Sequence, residues 1–222
     1  MTMPLQNRVD PFGAIQAVSA RGTLMGNRGG CMHTNDRRLA GRPWVNPRWI
    51  ACSLDYKGLH REMMQPGLYT ELFFLDEATA FAAGHRPCML CRRADARRFA
   101  AAWVEGNRTG RQLASIDEMD RILHAERVDP ETRTQRTTRA SVGPLPDGAM
   151  VTLDSGPAVP YLHWDRVLWP WSFQGYGDPL PLERDTPDRE VTLLTPPSVV
   201  EAFRAGYRPA AHPSCAAAAE HS

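Results

Sequence analysis

Ala83-Gly84-His85-Arg86-Pro87-Cys88-Met89-Leu90-Cys91-Arg92-Arg93 is the stretch on which the reading of this chain turns. Just upstream, Asp76 is a natural N-cap for a short Ala-rich helix over 77–83, and Gly84 is its stop. Pro87 turns the chain, and two cysteines follow three positions apart. A tight turn at that spacing points both sulfurs to one side, where they can grip one metal ion. One Cys-x-x-Cys is only half of a tetrahedral site. The redox alternative needs a helix-opening motif inside a thioredoxin-like unit. A helix does follow here, over 95–106, but no βαβ pattern precedes it.

The candidates for the other half-site are Cys31, His33, Cys52, His60, His85 and, more remotely, His212 and Cys215. Cys52 falls in a strand reading, Trp49 to Tyr56, close in sequence to the knuckle. His33 follows a glycine-rich stretch, Gly22 to Gly30, which reads as a loop able to bend toward a site. The preferred ligand set is His33, Cys52, Cys88 and Cys91, with Cys31 as the substitute for His33 and Zn2+ as the ion. His60, His85, His124 and His163 read as surface or packing histidines.

Working outward, strands are expected over 49–56, 59–64 and 68–75, making a small antiparallel sheet. Helices are expected over 95–106 and 116–128, and an exposed linker over 129–141. The second half alternates strands and turns: 149–153, 159–162 and 166–169, with a Pro- and charge-rich loop over 179–190. A last helix runs from Pro196/Pro197 to Ala205. Trp164, Trp169, Trp171, Phe173 and Tyr176 crowd together as a core or its lid, with a base-stacking platform as the alternative. The tail from Cys215 reads as disordered. The whole is an α+β chain: a small zinc-stapled sheet with short helices, then helices and a β-rich half. Two regions are drawn, 1–111 and 112–222. An echo links them, since Ala80-Phe81-Ala82-Ala83-Gly84-His85-Arg86-Pro87 is matched by Ala202-Phe203-Arg204-Ala205-Gly206-Tyr207-Arg208-Pro209. The preferred reading is one helix stop used twice, with a degenerate repeat as the alternative.

Of 222 residues, 42% are hydrophobic, enough for a core without a disulfide framework. No stretch nears the ~20 apolar residues of a membrane span. The N-terminal 20 residues lack a signal-peptide pattern, so a cytoplasmic location is expected, with the cysteines as thiols or ligands. The net charge of +1 is unevenly spread: residues 1–111 carry 16 basic and 9 acidic groups, residues 112–222 carry 10 and 16. The basic half suggests an anionic partner, with Arg28, Arg86, Arg92, Arg93 and Arg97 as candidates for nucleic-acid phosphates.

The run from Phe73-Phe74-Leu75-Asp76-Glu77-Ala78 through Ala83-Gly84-His85-Arg86-Pro87-Cys88-Met89-Leu90-Cys91 resembles the metal-binding domain of the Ada-type DNA methylphosphotriester repair proteins. Gly26-Asn27-Arg28-Gly29-Gly30-Cys31-Met32-His33 is similar to the opening of non-catalytic relatives of that domain. The resemblance covers about residues 22–95; the chain also resembles uncharacterised bacterial proteins. It implies a zinc site and contact with DNA. Repair-active members carry a first-half Cys-x-x-x-Cys that accepts the methyl group, and Cys31 and Cys52 do not form one. The leading expectation is therefore a zinc-binding module that contacts DNA. The alternatives are stoichiometric methyl transfer to a zinc-bound cysteine, and a zinc-stabilised domain that binds a protein.

Overall fold

The computed structural model describes residues 3–58, 62–107, 115–154, 158–182 and 188–215. The first sheet is built from β1 (Arg8–Val9), β2 (Ile15–Gln16), β3 (Leu24–Arg28), β4 (Trp49–Ser53), β5 (Leu72–Phe74) and, past an intervening helix, β6 (Arg86–Pro87). Their spatial order is β2-β1-β5-β3-β4-β6. The glycine-rich stretch is thus a central strand, not a loop. Gly26 explains why: a Cβ there would sit 2.2 Å from the Ile50 carbonyl oxygen and 2.8 Å from the Phe74 ring, so only glycine lets the neighbours close in. The strand expected over 59–64 is absent from its described part. Residues 59–61 lie outside the described residues, and Met64 stands in a turn with φ of 53°.

Asp76 caps α1 (Glu77–Ala82) as the sequence indicates, its carboxylate accepting from the Thr79 N–H at 2.8 Å. Every residue of α1 is buried. Its small side chains let both sheets and the longer helices approach it. Those helices are α2 (Arg93–Gly106), α3 (Ile116–Arg127), which Ser115 caps, and, at the far end of the chain, one over Pro197–Arg204.

The second sheet holds β7 (Thr138–Ser141), β8 (Met150–Thr152), β9 (Pro160–Trp164), β10 (Val167–Ser172), β11 (Gly175–Tyr176), β12 (Leu180–Pro181) and β13 (Glu190–Leu193). Its order is β11-β10-β9-β8-β13-β7, with β12 also on β10. The linker expected over 129–141 therefore ends in an edge strand. Polar, exposed Thr138 and Arg139 hide it from a hydrophobic pattern, as edge strands often do. Cys215, expected in a loose tail, is buried in a 3-10 turn over Pro213–Cys215. The class is α+β with a β-rich C-terminal half, and among the described residues no helix is long and apolar enough to cross a membrane.

The sequence echo has a structural counterpart that reaches beyond the helix stop. In the first sheet β3 and β4 pair antiparallel and β5 returns beside β3, leading into α1. In the second, β8 and β9 form a hairpin and β13 returns beside β8, leading into α4 (Pro197–Arg204). Both helices end in the same pair of bonds. The Gly84 and His85 N–H groups donate to Phe81 and Ala80 carbonyls, and those of Gly206 and Tyr207 donate to Phe203 and Ala202. That is a Schellman stop, and both glycines take the left-handed φ it requires, 80° and 99°. The two copies pack together: the Phe81 ring meets Phe203 at 5.3 Å and Tyr207 at 5.6 Å. A second shared core joins Leu75, Ala78 and Ala82 to Met150, Leu162 and Trp169 of the second sheet.

Candidate metal centre

Three sulfurs converge. The Sγ atoms of Cys52, Cys88 and Cys91 all lie within 4.8 Å of one another. Zn–S bonds of about 2.3 Å at tetrahedral angles set sulfurs about 3.8 Å apart, so the cluster has the size of a metal site. None of the three is in a disulfide.

Local structure explains the convergence. Cys52 sits on β4, next to Ala51. β6 runs parallel to β4, pairing Ile50 with Arg86 and Ala51 with Pro87. The Cys88 N–H then donates to the Ala51 carbonyl at 2.9 Å, fixing the start of the knuckle beside Cys52. The turn through Met89 and Leu90 brings Cys91 round, and α2 begins two residues later. The Leu90 N–H reaches back to the Cys88 sulfur at 3.4 Å. The Cys52 thiol and the Leu90 and Cys91 N–H groups pull the Cys88 thiol down to about 5, against the opposing effect of burial. Cys52, donating to that sulfur and buried, is pushed up. Burial pushes Cys91 up as well, with the Ser53 N–H acting against it. The cluster thus favours a thiolate at Cys88, and a bound cation would draw the protons from the other two, as metal-binding thiols require.

His33 is not part of this cluster. Its ring nitrogens meet Thr70 Oγ1 at 2.7 Å and the Gln65 carbonyl at 3.1 Å. The reason lies in the strand register. Met25 pairs with Cys52 and Arg28 with Trp49, so the chain beyond Arg28 leaves the sheet at the end away from Cys52. Cys31 goes with His33, its sulfur 3.8 Å from the imidazole Nδ1. His85 is buried between Phe74 and Trp49, 4.6 and 5.2 Å away. His212 Nδ1 pairs with Ser214 at 2.9 Å. His60 lies outside the described residues. Among the described residues the ligand group is Cys52, Cys88 and Cys91.

The arginines divide sharply. Arg28 and Arg86 are 3% and 4% exposed. Arg86 clamps Asp120 with two bonds, at 2.7 and 2.6 Å. Arg92 is spent on Glu77 and Asp95 at 2.6 and 2.8 Å, with a buried side chain. Arg86 and Arg92 cannot face a phosphate backbone, because Asp120, Glu77 and Asp95 consume their charge, while Arg28 is buried with no ion pair among the described residues. Arg93 and Arg97 remain exposed on α2, with Arg98, which pairs with Asp95. Nothing in a basic sequence run distinguishes the two classes; helical phase and the distant acids Asp120 and Glu77 do.

No family model, curated protein or solved structure matches the chain.

Proposed function

We propose that this chain is a zinc-binding module in which Cys52, Cys88 and Cys91 hold the ion, and that the module contacts nucleic acid through the exposed arginines of α2. The observation that carries the reading is the meeting of three sulfurs from β4 and the β6–α2 knuckle. A metal there ties the first sheet to the start of α2, two residues before the exposed Arg93. The resemblance of residues 22–95 to the Ada-type metal-binding domain supports zinc as the ion and DNA as the partner. Methyl transfer is less well supported. It needs a metal thiolate open to a bulky phosphate, whereas Cys52 and Cys88 are each 8% exposed and only Cys91 is half-buried.

Two measurements test the proposal. Purified protein should carry about one zinc per chain, lost in Cys88→Ser and Cys91→Ser. Duplex DNA should bind with an affinity that falls steeply with salt, and Arg93→Glu with Arg97→Glu should weaken it while Arg184→Glu with Arg189→Glu should not. Metal-free protein with an unchanged melt would reject the zinc site. Zinc without salt-dependent DNA binding would leave the protein-binding alternative.

A further inference from the structure

A second feature stands apart from the sulfur cluster. Between the β1–β2 turn, the segment after β3 and the end of α3 lies a cavity of about 660 Å³, within the range of small-ligand sites. Arg28, Arg42, Arg127 and Arg133 all reach its lining, and no Asp or Glu is among the described residues that do. Phe12, Ile15, Leu39 and Trp44 supply apolar surface.

The two inner arginines are unusual. Arg28 and Arg127 are 3% and 2% exposed, yet among the described residues neither forms an ion pair with a carboxylate. Arg28 donates to the Gly13 carbonyl at 2.8 Å, the Pro43 carbonyl at 3.4 Å and the His85 ring at 3.3 Å. Arg127 donates to the carbonyls of Gly84 and Pro47 and meets the His124 ring, and its buried Nε has no partner. Both guanidiniums lie over the Trp49 ring, 4.2 and 4.0 Å from its centre. Backbone carbonyls and a ring face orient these cations, and Asp10 acts on Arg28 and Asp120 on Arg127 only through space, without an ion pair among the described residues. Arg86, close by, is neutralised by Asp120, so the protein evidently has the means to pair a buried arginine and does not do so here. Buried charge with no direct counter-ion is costly, and an anion entering the cavity would relieve that cost. At the mouth, exposed Arg42 and Arg133 add two more cations, and the Arg133 guanidinium stands 4.9 Å from the centre of the half-buried Trp44 ring.

We propose that this cavity binds a nucleoside monophosphate unit, its phosphate held by the arginines and its base lying on the apolar wall that includes Trp44 and Phe12. Arginine forks match phosphate oxygens, and flat aromatic walls suit bases irrespective of sequence. A bare inorganic anion would leave the apolar wall unused, and a neutral aromatic would leave the arginines unpaired. The unit can arrive as a free mononucleotide or as the phosphorylated end of a strand. The inference does not depend on the zinc reading.

The test is calorimetric titration, with tryptophan fluorescence in parallel, of the full chain. The probes are a mixture of the four common ribonucleoside 5′-monophosphates, the matching nucleosides, inorganic phosphate, and a single-stranded decamer with and without a 5′-phosphate. Saturable binding of the monophosphates on the order of 0.1 mM is expected, at least tenfold tighter than nucleosides or phosphate. Arg42→Ala with Arg133→Ala, both at the exposed mouth, should weaken it about tenfold with an unchanged melt, and Arg93→Glu with Arg97→Glu should not. Binding of the 5′-phosphorylated decamer alone would support the same site with a strand end as the source. The proposal is overturned if neither form binds by 1 mM, if nucleosides or phosphate bind as well as the monophosphates, or if the mouth variant binds unchanged.

Discussion

Arg86 grips Asp120 with both arms of its guanidinium, 34 positions away in sequence and with both side chains almost wholly out of solvent. The pair fastens β6, and with it the start of the cysteine knuckle, to α3. Removing one partner strands the other charge. Asp120→Asn should therefore cost about 3 kcal/mol or more, read as a fall in urea midpoint, whereas Arg93→Ala on the exposed face of α2 should stay within about 0.5 kcal/mol. Equal small effects would mean that the buried pair is not formed in solution.

Ligand identity separates the two halves expected of the metal site. Cys52→Ser should lose the metal, and Cys31→Ser should keep it. His33→Ala should also keep it while costing about 2 kcal/mol, because the Thr70 hydroxyl loses a buried partner. Metal analysis on the three variants, with melts alongside, decides the matter. Metal loss in His33→Ala with Cys52→Ser unaffected would reverse the assignment.

The twin helix stops should respond unequally to one substitution. At Gly206 the neighbourhood is open, so Gly206→Ala meets only the left-handed φ, about 1 kcal/mol. At Gly84 a Cβ would lie 2.2 Å from the Arg127 Cδ. Gly84→Ala must displace a buried arginine as well and should cost at least about 3 kcal/mol. Denaturant titration of both variants is the measurement, and indistinguishable midpoints would argue against the packing of Arg127 on this stop.

Acid should destabilise the fold through two histidines. Burial, then Arg127, pulls the His124 imidazole down to about 4. Burial, then Arg28 and Arg127, depresses His85 further in the same direction. In the unfolded chain both titrate near 6.5. Between about pH 6.5 and pH 4 the unfolded state binds protons that the folded state refuses, so this contribution is complete above pH 6.5 and is lost as pH falls. His124→Gln should lose less stability than the parent protein between pH 7 and pH 5 in urea melts; identical losses would show that His124 is not held neutral.

Much of the first half can be read from local chemistry. Asp76 as a cap, Gly84 as a stop and the Cys88/Cys91 knuckle are all encoded within a few positions of where they act. Cys52 joins them because a strand pattern over 49–56 is strong and short. The failures are non-local. Gly22 to Gly30 looks like a loop because glycine is the residue of loops; only the approach of Ile50 and Phe74 shows why a central strand needs Gly26. His33 follows that stretch and looks free to bend toward the knuckle, whereas the strand register carries it to the end of the sheet away from Cys52. Arg86 and Arg92 look like a binding surface because burial of an arginine depends on acids far from it along the chain. Thr138 to Ser141 and Glu190 to Leu193 pair with each other although Glu190 and its partner Ser141 are already 49 positions apart, which no window of sequence displays.

The carboxylates that open α1 serve a segment made much later. Glu77 accepts from the Tyr207 hydroxyl at 2.8 Å across 130 positions, and from the Ala210 N–H. Asp76 accepts from the Tyr176 hydroxyl and the His212 N–H, both at 2.8–2.9 Å. On a ribosome, the cysteine knuckle and its strand partner emerge long before those donors do. The nascent first sheet can assemble its sulfur cluster early, yet the two acids that open the helix beneath it then have only local partners, Thr79 for Asp76 and Arg92 for Glu77. A chain truncated before Tyr207 would lack the Tyr207, Ala210 and His212 donors and leave Glu77 Oε2 without its partner, so translational arrest in that interval should yield a product that chaperones and proteases recognise as unfinished.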